Sequence, residues 1–185
     1  SPVAVYAKYF GQELANQLPQ VGVEFPLVFE KDGVLVGRAA LFKNNDDSLT
    51  FAGNLPEGTE VSFGLGNIEK ILQNSNYHVG NMINDMEYET EAVFVYSCMA
   101  RRRFMKDYVA NELKILNSLG RVSGFFTYGE FFHARGGNQL LNETMTLLAL
   151  SETKKPMRKS IKAILEKSSN YTVRAEHVMA NLANQ

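Results

Sequence analysis

The spacing of apolar positions switches between helical and alternating along the chain, and each switch marks an element. From Pro2 to Leu18, the residues Val5, Tyr9, Leu14 and Leu18 fall roughly on one helical face, predicting an amphipathic helix that Pro19 ends. Phe25–Glu30 and Val34–Phe42 are strand-like runs joined by Lys31-Asp32-Gly33, and Asp-Gly between such runs is a strong hairpin signal. Turn clusters at Asn44-Asn45-Asp46-Asp47 and Pro56-Glu57-Gly58 set off two further strands, Leu49–Ala52 and Thr59–Phe63. The expected arrangement of this first part is an antiparallel meander behind a helix.

Asn67 is placed to cap a helix through Ile68, Ile71 and Leu72, with Glu69 in its first turn. The polar residues and Gly80 of Asn74–Glu87 predict a broken helix or a loop. Ala92–Ser97 is almost continuously apolar, as in a strand buried on both faces. Met105, Tyr108, Val109, Leu113 and Leu116 form one stripe of a helix spanning Phe104–Leu119, closed by Gly120. Val122–Thr127 and Tyr128–Ala134 read as two strands, or as one bent at Gly129. Gly136-Gly137-Asn138 reads as a turn, and Thr144–Leu150 as a core strand. The predicted class is α/β or α+β, with a mixed, largely antiparallel sheet, packed helices and a C-terminal helix. Beyond Pro156 the pattern changes. Ile161, Leu165, Ser168, Thr172, Ala175, Met179 and Leu182 alternate spacings of four and three, a heptad seam with weak positions at Ser168 and Thr172. The expected units are therefore residues 1–152 and a helix over 153–185, which either packs on the first unit or connects it to an output domain or a dimer partner.

Composition narrows the function classes. Of 185 residues, 45% are hydrophobic and 21% charged, ordinary values for a globular protein with a sizeable core. A net charge of -1 and a pI near 6.3 give no case for nucleic acid or an acidic membrane surface. No apolar run approaches the ~20 residues of a membrane span. No signal segment is visible, and a start at Ser1-Pro2 without Met suits an excised fragment. The lone cysteine, Cys98, rules out an internal disulfide and fits a reducing cytoplasm.

The densest chemistry lies in Gly124-Phe125-Phe126-Thr127-Tyr128-Gly129-Glu130, which packs glycines, aromatics, hydroxyls and a carboxylate into seven residues. Glycine permits close approach of a backbone or ligand, while Tyr128 and Glu130 supply directional polar groups, so a binding site is expected here. In a regular strand Tyr128 and Glu130 share a face. Such a pair either holds an amine or hydroxyl or satisfies itself in the core. Cys98 precedes Arg101-Arg102-Arg103 at a helix start, a setting that lowers a thiol pKa and admits a nucleophile with His133 as base and Glu130 as orienting group. The bland alternative is a buried structural thiol. Three cations at a helix start oppose the dipole, which asks for an anion from Glu130 or a ligand, with Arg101 nearest the strand end. His78, His133 and His177 lie far apart and at no metal-ligand spacing, so no metal or cofactor is expected. Gly64-Leu65-Gly66 is a lone fragment of a phosphate loop and fits a turn better. Asn142 and Thr144 lead into the last strand.

Together, Tyr96-Ser97-Cys98-Met99-Ala100-Arg101, the Gly124–Glu130 block and Leu141-Asn142-Glu143-Thr144-Met145-Thr146-Leu147 resemble the C-terminal half of the FIST domain (F-box and intracellular signal transduction). Gly37-Arg38, Asp47–Thr50 and Pro56–Thr59 resemble its N-terminal meander, so the likeness covers about Ala4 to Ser151. The resemblance implies a bacterial sensory module that binds a small ligand such as an amino acid, coupled to an output domain. Some eukaryotic relatives carry an F-box. Its matching positions are Arg38, Cys98, Arg101, Thr127, Tyr128, Gly129, Glu130 and Asn142, and no catalytic role comes with them. The N-terminal FIST half, expected upstream, is missing from this chain. The leading expectation is a cytoplasmic ligand-binding domain in which Arg101 meets a carboxylate and Tyr128 and Glu130 meet an amine or hydroxyl. Phe125 or Phe126 would wall the pocket. The rivals are an interaction module that docks or homodimerises through its C-terminal helix, and a Cys98-dependent enzyme.

Overall fold

The computed structural model describes residues 1–134 and 136–156. The architecture is α+β, as the sequence predicts. The first helix, α1 (Pro2–Phe10), starts where the Ser1 hydroxyl accepts the Ala4 N–H and Pro2 fills the first turn. Gly11, at φ 88, breaks the expected long helix, and α2 (Gln12–Asn16) follows at a new angle. Half of the expected face is buried: Leu18 lies in the core and Leu14 packs on it, but Val5 and Tyr9 are 46% and 63% exposed, with Val3 and Tyr6 buried in their place. Two stripes of similar apolarity run along this segment, and tertiary contacts select between them. The Tyr6 hydroxyl donates to the Phe25 carbonyl at 2.7 Å, and its ring meets Phe63 edge-on at 4.9 Å.

The expected meander is instead two hairpins in separate sheets. β1 (Leu27–Lys31) and β2 (Val34–Arg38) pair antiparallel across Asp32-Gly33, both with positive φ, and β5 (Ser62–Phe63) adds to the other edge of β1. The run read as one strand, Val34–Phe42, changes sheet after Arg38, whose side chain turns into the interior. β3 (Ala40–Lys43) then pairs with β4 (Leu49–Phe51). A first core gathers the helical face of α1 and α2 with Val21 and Ala40.

Asn67 caps α3 (Ile68–Asp85), accepting the Lys70 N–H at 2.9 Å. This helix runs unbroken through Gly80, against the sequence expectation. Its buried residues Leu72, Val79 and Ile83 hold one face on the core, while the polar residues of 73–78 occupy the rest of the circumference. The second sheet has the order β10–β6–β7, with β6 (Ala92–Cys98) at its centre. β7 (Arg121–Thr127) is parallel to β6, and β10 (Met145–Leu150) antiparallel. The crossover begins at Met99 rather than Phe104. It consists of α4 (Met99–Met105), a 3-10 turn entered at Lys106 with φ 49, and α5 (Val109–Leu116). Val93 and Val95 pack with Val79, Ile83 and Leu116 in a second core. β6 is not covered on both faces by described residues: Phe94, on the face away from the helices, is 39% exposed.

Tyr128-Gly129 turns the chain out of β7 into a separate hairpin of β8 (Glu130–Ala134) and β9 (Gly137–Leu141). The sequence shows β9 only as a glycine turn, because Gly137-Asn138-Gln139 lacks apolar alternation. After β10 the chain returns to the start of β6. The Lys155 carbonyl accepts the Glu89 N–H, and Pro156 bridges to Tyr88. The heptad seam lies outside the described residues.

Candidate functional site

The ends of β2, β6, β7 and β9 converge on a buried polar centre that holds most of the side chains singled out from the sequence. Arg38 is buried and bonded through the carbonyls of Asn54, Gly37 and Leu140 at 2.9–3.0 Å, with the Asn142 side-chain oxygen at 3.4 Å. Its guanidinium also lies against Phe29 and against Gly53, where a Cβ would approach Arg38 Cζ to 3.1 Å. Burial pushes the Arg38 pKa down from its usual value. Every donor accounted for goes to protein oxygen, so Arg38 fastens the first sheet to the β9 end.

Glu130 is 1% exposed, and its two carboxylate oxygens accept from Thr127 and Thr144, the latter at 2.8 Å. Tyr128 is 76% exposed. The expected Tyr128–Glu130 face therefore does not form: the two residues straddle the Gly129 turn, where strand alternation does not hold. The anion beside Arg101 is neither Glu130 nor an open position. It is Glu112 of α5, fully buried, which also accepts from the Ser75 hydroxyl, and Arg101 Nη1 donates to the Glu143 carbonyl at 3.2 Å. Glu143 itself was not singled out. Burial drives its carboxyl from 4.5 up to about 8, with Arg101 pulling the other way.

A cavity of about 360 Å³ opens beside this centre, between the 3-10 turn at Gln20–Val23, β3, the start of α4 and Tyr128. It brings together Cys98, Tyr128 and Asn142. Arg38, Arg101, Thr127 and Glu130 do not line it. Phe126 is elsewhere, under the Arg102 guanidinium at 5.0 Å. Two charged side chains line the cavity that sequence reasoning missed, Arg103 and Glu24. Arg103 belongs to the visible arginine run, but residues two apart on a helix point to different sides, and only the helix orientation decides which faces the cavity. Nothing in the sequence around Glu24 signals its place.

Cys98 is buried, and burial pushes its thiol pKa up, with Glu130 and Glu143 adding to the rise over two opposing backbone hydrogen bonds. That is the reverse of an activated nucleophile. His133 lies exposed on β8, bonded to Asn138, and does not line the cavity. Among the described residues no cluster suits a metal ion, and no helix is long and apolar enough to cross a membrane.

Compared with known proteins, residues 2–133 match one family, the FIST C domain. None of the curated proteins matches the chain, and none of the solved structures does.

Proposed function

Starting from the chain's membership of the FIST C domain family, we propose that the cavity beside Cys98 binds a small zwitterion or carboxylate, such as an amino acid, as the sensing step of a signalling protein. FIST C domains are associated with the sensory parts of signal-transduction proteins and are not a known enzyme family. The observation that carries the reading is the lining of the cavity: Cys98 and Tyr128, which lie within the family match, and Asn142 stand with two opposite charges, Arg103 and Glu24. Arg103 meets the ligand carboxylate in the role first expected of Arg101, and Glu24 meets the amine. Tyr128, exposed at the turn, supplies a hydroxyl at the mouth. A bacterial, cytoplasmic setting, an N-terminal FIST half and an output domain follow from the family analogy alone.

A thermal-shift screen against amino acids and small carboxylates tests this. A ligand selective for the native state stabilises by about 2.7 kcal/mol at a hundredfold over its dissociation constant. Arg103→Ala is expected to abolish the shift while leaving the unliganded melting temperature within the range of a surface substitution. A ligand response that survives both Arg103→Ala and Glu24→Gln overturns the assignment.

A further inference from the structure

A second groove, of about 420 Å³, runs between α5 and β7 and shares no lining residue with the cavity above. Its helical wall is Ala110, Leu113, Lys114 and Asn117, one stripe at spacings of three, four and seven. Its other wall is five consecutive residues of β7, Val122 to Phe126, together with Val95 and Ser97 of β6. A groove lined by an unbroken run of strand residues follows the strand's backbone. Among the described residues β7 pairs with β6 alone, so the outward N–H and C=O groups of its other edge have no ladder partner. Edges are usually guarded by proline or charged residues, and β7 carries one such residue, Arg121 at its first position, with none from Val122 to Thr127.

The interior of the groove suits alternating side chains. Val122, Gly124 and Phe126 pair in register with Val93, Val95 and Ser97, so they share the α5-facing side of the sheet. Gly124 leaves a notch between two larger residues. It is held as glycine because a Cβ there would collide with the Val95 carbonyl oxygen. Ser97, which lines the groove, is 2% exposed, and its hydroxyl has no hydrogen-bond partner. Lys114 stands exposed on the rim and enters none of the described ion pairs.

From these features we infer that the groove takes an extended segment of a partner protein as an added strand along β7, with apolar side chains toward α5 and an acidic residue meeting Lys114. Main-chain bonds to the strand edge supply affinity, and the notch and Lys114 supply selectivity. The five lining residues span about 17 Å at strand rise, enough for a partner segment of about five residues. This site is independent of the ligand cavity and stands or falls separately.

The test uses two fluorescein-labelled peptides of alternating valine and threonine, one ending in two glutamates and the other in two lysines. Fluorescence anisotropy reads binding and amide hydrogen exchange reads β7. The acidic peptide is expected to bind at least about tenfold more tightly, and to slow exchange at alternate amides of residues 121–127. Lys114→Glu is expected to reverse the preference. Ala110→Trp, which fills the groove from an exposed helical position, is expected to abolish binding at an unchanged melting temperature. Failure of both peptides to bind the wild-type chain at about 1 mM overturns the inference. So does binding that Ala110→Trp leaves intact, or β7 protection that arises from self-association without peptide.

Discussion

At the scale of single residues, the molecule puts its most polar side chains to internal use. Glu112, which sequence reading passes over, is buried against Arg101, and Arg38 and Glu130, which an eye trained on binding sites selects, are likewise buried with protein partners. Sequence identifies such residues because buried charge is rare. It does not say whether the partner is a ligand or the protein, since that depends on what the fold brings alongside. Glu143 shows the cost of that blindness. Its carboxyl ionises near 4.5 when unfolded and near 8 when folded. Between those values the folded state holds a proton that the unfolded chain has released, so stability is greatest below about 4.5 and falls as pH rises toward 8. The slope contributed by this group is at most about 1.4 kcal/mol per pH unit. Denaturant midpoints measured from pH 5 to 8 are expected to decline for the wild type and to flatten for Glu143→Gln. Equal slopes in the two proteins would assign the decline to other groups.

Among elements, existence and type were largely legible, and faces and boundaries were not. The Asp32-Gly33 hairpin, the Asn67 cap and the strand at Ala92–Cys98 follow from local chemistry that tertiary structure leaves in place. The buried face of α1 and the continuity of α3 depend on partners far along the chain. The division of Val34–Phe42 depends on where Arg38 finds its oxygens. β7 illustrates both sides. The sequence marks Gly124 as a place of close approach, and the structure identifies the approaching group as the Val95 carbonyl. Because that contact is with backbone, relief requires the strands to part. Gly124→Ala is therefore expected to destabilise by about 1–3 kcal/mol, the range for forced overpacking. Chemical denaturation checks this, and a loss below about 0.5 kcal/mol would mean that β7 shifts freely.

For the whole molecule, the expected α+β class is observed, while the joining of its parts was hidden because it rests on residues more than a hundred positions apart. Arg38 bonds Leu140 and Asn142, and Phe29 and Val36 pack on Leu141, so the first sheet is tied to the last third of the chain. The β10–β6–β7 sheet is two-sided only in part. Its inner face is covered by α3 and α5 except at the groove beside β7, and its outer face carries Phe94, Phe125 and Leu148 in the open among the described residues. Val95→Ala is expected to cost about 2 kcal/mol or more through an internal void, and Phe94→Thr about 0.5 kcal/mol or less. Paired melting curves decide it, and equal losses would show the outer face to be covered in solution. The return of the chain to Tyr88 has a mechanical corollary. Asn142 stands at the cavity, β10 leads from its neighbourhood to Leu150, and the Pro156 contact lies beside the opposite end of β6. Six strand residues, about 20 Å of stiff extended backbone clamped to β6 along its length, connect the place where a ligand would press to the place where the chain moves on. Between Asn142 and β10 the chain bends at Glu143, with φ 58, so a change at the cavity reaches the Tyr88–Pro156 contact only through that bend and a strand held to β6 residue by residue.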